Sequence, residues 1–476
     1  MLFASLTLAF TAWGFAGVIA WTVDVMLVGS LLTFIAAIIT FRLSAFPYFS
    51  FSKKALTQLL FSAPFWFSFL FLIYISIQAL NPSVAVVSDE SGWWVESTSA
   101  PFGEAWPSSV RSDYNEMNAF RVLKWFAASF LLMWGISIGI SRRKAASIIL
   151  WSLILSGSGM AFVAILQDMT EADKVLWTLK SSNEQFWGSF FYRNQGVAYL
   201  NGILIGTGVL YFYYAKRAIE RAQHGGPHFL LFLLFALVAS SVGLALSRGG
   251  ILVASILTIG FLFLLMLQRV FAVFSTRNSW AIAGITGFVL VGGAYGIGKQ
   301  VDLKAIEERF GDVGATIDNA ESDARMISSK ATWDMAQDRL WLGWGAGSFR
   351  YIFPIYQHNY PELFYSRYHK KKDQWMGRKV FHYAHNDILQ FLAEYGIIGC
   401  SLLLLSLATL LFPVVRQLFS ASSLQSLFLI LGLATIAAHA FLEFILNSPA
   451  YWVAMVGLLA ALAKLFELEW KRRFAV

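Results

Sequence analysis

The sequence predicts an all-α polytopic integral membrane protein of about twelve transmembrane helices. Three observations lead there. Of 476 residues, 57% are hydrophobic and 13% charged, against about 25% charged in an ordinary soluble domain. Apolar runs of bilayer-spanning length, about 17–25 residues, recur along the chain. Lys and Arg gather in alternate connections between those runs, as the positive-inside rule requires. With a mean hydropathy of +0.61, a soluble globular enzyme and a disordered chain are both excluded.

The expected spans are 2–21, 24–41, 59–80, 120–140, 147–167, 195–215, 229–247, 249–268, 281–298, 388–412, 425–443 and 451–467. The first has no basic residue ahead of it and no small-residue cleavage site, so it reads as a retained anchor. With the N-terminus in the cytoplasm, fifteen Lys and Arg fall on the cytoplasmic side, among them Arg142, Arg143, Lys144, Lys216, Arg217, Lys471 and Arg472. The three shortest opposite-side connections hold only Arg248. Both termini are therefore expected in the cytoplasm. The net charge of +8 is then largely topological, and nucleic acid is not expected as a partner. One cysteine, Cys400, excludes an internal disulfide, and with no CxxC there is no thiolate zinc site.

This topology divides the chain into helices one to nine (1–298), a large outer loop with short helices (299–387), and three last helices with a short cytoplasmic tail (388–476). Shorter outer segments are 81–119 and 168–194. Within the large loop, Met326, Lys330, Trp333 and Gln337 fall on one face of an expected helix, beyond which lies a glycine-punctuated run, Gly343-Trp344-Gly345-Ala346-Gly347, read as a turn. An aromatic and basic run over 349–383 includes Lys370, Lys371, Lys372, Arg378 and Lys379. It suits either stacking on sugar faces or lying on lipid headgroups.

Several chemistries are missing from the sequence. It has no DxD for a nucleotide-sugar metal, no GxxxxGK[ST] phosphate loop, no HExxH and no GxSxG. The informative stretch is His385-Asn386-Asp387, followed by Glu394, Gly396 and Gly399, where the large loop enters the tenth span. Imidazole is the side chain that changes charge near neutrality, so His385 can serve as a proton acceptor there. The competing reading is an interfacial histidine beside a helix cap at Asn386 or Asp387. Gly396 and Gly399 would let a neighbouring helix pack closely.

At this point a family becomes visible. His-Asn, nine residues, Gly, two residues, Gly resembles the signature of the O-antigen ligase and O-antigen polymerase superfamily, which also includes bacterial O-linked oligosaccharyltransferases. Ser247-Arg248-Gly249-Gly250 looks like that family's SRGG between two spans. Arg325, Trp333 and the run Gly343–Phe349 look like its arginine, tryptophan and glycine-rich elements, and Phe191-Tyr192-Arg193-Asn194 resembles the segment leading into its sixth span. The resemblance covers roughly 185–460. It implies a GT-C-like, metal-independent glycosyltransferase of the bacterial inner membrane, with no cofactor. The implied donor is an undecaprenyl-pyrophosphate-linked glycan at the periplasmic face. The acceptor hydroxyl belongs to a glycan, the lipid A core or a protein, and an inverting displacement transfers the glycan to it.

The residue types suit those roles. A pyrophosphate leaving group gains charge as it departs, and guanidinium groups can meet that charge with paired hydrogen bonds. Arg248 stands alone in a tight connection at the membrane edge, where a functional role is the default. Arg325 takes its role from the family match, since a salt bridge to Asp323 would explain it equally. Under the same match His385 is the general base, with His382 its competitor if the helix starts early. Candidate substrate-binding residues are Arg193, Asn194, Asn386, His382, His439 and Glu443. His439 and Glu443 are spaced to share a helical face and hydrogen-bond, while Glu394 lies on the face opposite His385 and should pair within the bundle. A His382–His385 metal pair lacks a completing carboxylate, so no metal site is expected. A lipid-linked glycan flippase is the rival from another class, but the notable charges cluster at the outer ends of the spans rather than along a path through the membrane.

Overall fold

A helix that is apolar all round belongs inside a bundle, and α7 (Arg193–Glu220), whose most apolar stretch is wholly buried, is that helix here. The structure is a computed structural model, which describes residues 1–42, 48–90, 92–113, 117–181, 183, 185–223, 225–273, 324–365, 367–369, 374–377, 379–421 and 423–473. The expected span 281–298, and Asp323, Ser366, Lys370, Lys371, Lys372 and Arg378, lie outside the described residues.

The chain begins with α1 (Leu2–Thr11), α2 (Ala20–Ile38), α3 (Lys53–Leu60) and α4 (Ala63–Leu80). Then come α5 (Ala119–Gly139), α6 (Arg143–Met169), α7, α8 (His228–Leu244) and α9 (Arg248–Val273). Beyond the undescribed stretch are α10 (Ala324–Asp338), α11 (Phe349–Gln357) and α12 (Pro361–Phe364). The last elements are α13 (Asp387–Leu410), α14 (Phe412–Ala421), α15 (Leu424–Leu442) and α16 (Pro449–Arg473). Among the described residues nine helices are long and apolar enough to cross a membrane, and α1 and α8 are shorter apolar helices. The expected first span, 2–21, is divided: α1 ends at Thr11, Ala16 takes left-handed backbone (φ 59°), and α2 starts at Ala20. Ten residues rise only about 15 Å, so α1 is too short to cross alone.

Helix α7 packs on α16 and α15 through small residues. A Cβ on Gly202 would come within 2.2 Å of Met455, and one on Gly206 within 2.9 Å of Leu458. Such close approach gives packing contact where lipid offers no hydrophobic drive between helices. Caps set several helix starts: the Asn118 side chain accepts from Arg121 N at the head of α5, and Asn386 from Leu389 N at the head of α13.

The helical expectation needs additions: among the described residues, two-stranded pairs form at 39–42 with 48–51, 174–175 with 179–180 and 367–369 with 374–376, and one larger sheet bears on the site. Between α4 and α5 the chain forms a three-stranded sheet from 82–89, 92–97 and 109–111, with 82–89 in the centre, antiparallel to 92–97 and parallel to 109–111. Val84 and Val110 of this sheet share one hydrophobic core with Ile327, Ala331 and Met335 of α10 and with Phe349 and Phe353 of α11. The described part of the 299–387 loop thus closes its core with 82–111. On α10 the face read from sequence, Met326, Lys330, Trp333 and Gln337, is the exposed one, and the neighbouring face is buried.

Candidate active site

Four segments far apart in the chain meet around the carboxylate of Glu443. Helix α15 stops at Leu442, and Glu443 follows in extended backbone (φ −149°, ψ 168°). Its Oε1 accepts from Arg325 Nη2 at 2.7 Å, and its Oε2 lies 3.4 Å from His385 Nδ1. The Asn194 side chain adds a further hydrogen bond, and Asn194 Oδ1 accepts from Ser247 Oγ at 2.8 Å. Ser247 directly precedes Arg248, the exposed first residue of α9. One chain of contacts therefore joins the segments of Asn194, Arg248, Arg325 and His385.

Burial pushes the Glu443 carboxyl up, but the His385 hydrogen bond and the Arg325 charge outweigh it and hold the group below the ordinary carboxylate value. An anion at Nδ1 favours the proton there, which leaves Nε2 as the acceptor nitrogen. The His385 backbone is left-handed (φ 56°), uncommon without glycine and concentrated where side-chain aim matters. The ring stands edge-on to Phe444 at 4.7 Å. Phe444 is stacked between Tyr192 at 4.6 Å and Tyr383 at 4.7 Å. The Glu443 side chain is 4% exposed and that of His385 27%, so the imidazole is reachable and its partner carboxylate is not.

Residues 230–404 match the family described as O-Antigen ligase. That stretch is an O-antigen ligase family domain. No curated protein matches the chain. Together with the membrane-length helices, the domain marks a multi-pass membrane enzyme of the O-antigen ligase or polymerase type, with lipid-linked glycan and acceptor substrates. The matched stretch holds Arg248, Arg325, His382, His385 and Asn386, while Arg193, Asn194, His439 and Glu443 fall outside it.

Other expected residues of this O-antigen ligase domain and its surroundings take different places. Helix α13 starts at Asp387, so His382 and His385 share no helical face. His382 instead lines a slot with Arg350, Gln390 and Asn447. Asn386 is 3% exposed and serves as the helix cap. Arg193 heads α7, half-buried. His439 and Glu443 make no side-chain hydrogen bond, because Glu443 has left the helix. His439 is 2% exposed, its Nε2 lacks a hydrogen-bond partner among the described residues, and a Cβ on Gly249 would sit 3.0 Å from it. Among the described residues, no three His, Cys, Asp or Glu gather with geometry to hold a metal.

The glycine run of the O-antigen ligase domain is more than a turn. Helix α13 is broken at Gly396 (φ 61°, ψ −175°), and the segment Leu340–Gly345 fills the break. Ile397 N donates to Leu340 O at 2.8 Å, Trp344 N to Ala393 O at 2.8 Å, and Gly345 N to Glu394 O at 2.8 Å. Tyr74 and Gln78 of α4 close it from the other side: the Tyr74 hydroxyl lies 2.6 Å from Leu342 O, and Gln78 Nε2 3.2 Å from Glu394 O. A Cβ on Gly396 would meet Trp341 O at 2.4 Å, and one on Gly343 would meet Glu394 O at 2.4 Å. The neighbour that Gly396 admits is thus a loop, whereas Gly399 does admit a helix, through Tyr74 at 2.9 Å. The Glu394 side chain accepts from Gly347 N at 3.1 Å, Phe349 N at 3.3 Å and Gln390 Nε2 at 3.2 Å. Asp387, fully buried, accepts from Leu446 N and Asn447 Nδ2, both at 2.7 Å. These bonds fix the head of α13, and His385 with it, to the loop that carries Glu443.

Sequence reasoning missed the bridging place of Glu443. The signal was present: an acid at the membrane edge is expensive and calls for a named partner. Helical spacing pointed to His439, and only the helix end at Leu442 redirects it.

Proposed function

We propose that this protein transfers or polymerises an undecaprenyl-pyrophosphate-linked glycan onto an acceptor hydroxyl at the periplasmic face of the bacterial inner membrane, in a GT-C-like manner. The observation that carries this reading is the Glu443 bridge, which holds one candidate base and one candidate charge-stabilising arginine on a single carboxylate. His385 Nε2 takes the proton from the acceptor hydroxyl as its oxygen bonds to the anomeric carbon. The bond from that carbon to the pyrophosphate oxygen breaks, the electron pair leaves with the pyrophosphate, and Arg248 and Arg325 meet the growing charge. Attack from the face opposite the leaving group inverts the anomeric configuration. Glu443 orients His385 and stabilises it once protonated. Arg193 and Asn194, at the head of α7, and His382, in its slot, are the candidate substrate contacts, while Asn386 acts through the cap of α13.

Purified protein in proteoliposomes with lipid-linked glycan tests this. Transfer to the acceptor without added nucleotide, with inverted configuration, is the expected result. Movement of the donor across the bilayer without transfer would replace the enzyme by a flippase, and retained configuration would rule out a single displacement.

A further inference from the structure

The opposite end of the bundle carries a second candidate site. Helices α6 and α7 run antiparallel, with Ser147 meeting Tyr214 at 2.7 Å and Gly157 facing Ile203. Because α7 starts at Arg193, where Asn194 hydrogen-bonds the Glu443 carboxylate, Arg217 and the head of α6 lie at the far end. There the helix ends enclose a cleft of about 620 Å³, walled by Arg142, Arg143, Lys144 and Arg217, a size suited to a small ligand.

Topology accounts for basic residues on that side of a membrane; it does not require four of them to face one cleft. Three sit at the head of α6, where cations oppose the helix dipole instead of complementing it. No acidic residue occupies that first turn, and Arg142 provides no side-chain cap. Arg142, Arg143 and Lys144 make no ion pair among the described residues. Glu469, the acid whose charge acts on Tyr213, is 8% exposed and accepts from Gln417 Nε2 at 3.4 Å. The floor is ordered: Arg217 Nη1 donates to the Tyr213 hydroxyl at 2.7 Å, and Trp151 Nε1 to the Tyr214 hydroxyl at 3.2 Å. From the cleft an apolar track continues along one face of α6, through Ile148, Leu155 and Phe162, each exposed and spaced two turns apart.

We propose that this cleft binds the phosphate headgroup of an anionic phospholipid, with an acyl chain lying along Ile148, Leu155 and Phe162. A cation cluster opening onto an apolar track matches a ligand with one charged end and one hydrocarbon end. The site is independent of the transfer reaction at His385.

Native mass spectrometry of the full-length protein, released from vesicles of phosphatidylglycerol and phosphatidylcholine, reads the outcome. The wild type should retain phosphatidylglycerol in preference to phosphatidylcholine. The variant Arg142→Gln/Arg143→Gln/Arg217→Gln should lose that preference by roughly a hundredfold in affinity, and Arg142→Gln alone by roughly fivefold. Because the single variant removes only an exposed side chain, its smaller loss keeps the test valid if the triple variant misfolds. Equal retention of the anionic lipid by wild type and Arg142→Gln overturns the proposal. Displacement of the lipid by glycerol phosphate or inorganic phosphate at comparable concentration overturns the lipid assignment and leaves a soluble-anion site.

Discussion

Glu443 and Glu394 are both buried acids near the His385 end of the bundle, and their surroundings differ in kind. Glu443 holds two titratable or charged side chains, Arg325 and His385, both partly open to the outside. Glu394 holds two backbone amides and a glutamine, all buried. A carboxyl group facing a reachable base and a guanidinium can change partners during a reaction. One enclosed by backbone amides can only fix the chain that surrounds it. Burial alone therefore does not distinguish the two acids; the kind of group that each hydrogen-bonds does.

The largest expected effect is at the base. His385→Ala should reduce transfer by about 10²–10⁴-fold, the usual worth of a positioned base, while donor binding persists. His382→Ala should keep most of its activity, since His382 lines the slot with Arg350, Gln390 and Asn447. The reverse ranking in a transfer assay would move the base to His382. Next, Arg248→Ala and Arg325→Ala should each cost about 10²–10³-fold in rate. Lysine at either position should restore only part of it, lacking the planar fork. Near-normal transfer by Arg248→Ala would remove it from the site.

The two acids themselves give the sharpest contrast. Glu443→Gln should lower transfer per folded molecule by about 10–10²-fold, the worth of a charge-assisted hydrogen bond. Glu394→Gln should instead lower stability by about 1–3 kcal/mol, because it sets an NH₂ group among amide donors. Activity per folded molecule should stay near wild type. A matched loss of rate in both variants would dissolve the distinction. Glu443 also sets a pH dependence. Its folded pKa is depressed, so its contribution is present above the ordinary carboxylate value and disappears as pH falls below that value toward the folded one. The acid limb of stability against pH should accordingly shift to smaller amplitude in Glu443→Gln. Smallest of all, chelation of divalent metals should leave wild-type transfer unchanged, and a strict metal requirement would point to different chemistry.

How much of this was legible beforehand follows from the range of each signal. Membrane helices declare themselves by local composition, so α4 to α9, α13, α15 and α16 overlap the sequence-based spans, whereas the short α14 has no counterpart among them. Helix caps are equally local, and Asn386 was a candidate cap from its position alone. The sheet between α4 and α5 was hidden, because its strands are short and find their core on α10 and α11, far along the chain. The filled break in α13 was hidden for the same reason. Gly396 looks like a packing glycine until Trp341 is placed against it. For Arg325 the sequence offers Asp323, its near neighbour, as a partner, and cannot show that it also reaches Glu443, more than a hundred positions away.

The broken helix bears on how the protein is made. A span interrupted within the bilayer exposes peptide groups that lipid cannot satisfy, at several kcal/mol for each one. In α13 those groups are met by Leu340–Gly345, which emerges from the ribosome earlier and on the far side of the helix's own start. Insertion of α13 and seating of that segment are thus coupled steps in biogenesis. A chain cut between Gly345 and His385 would lose the covalent tether that delivers one to the other, and α13 would then depend on chance encounter to complete its backbone.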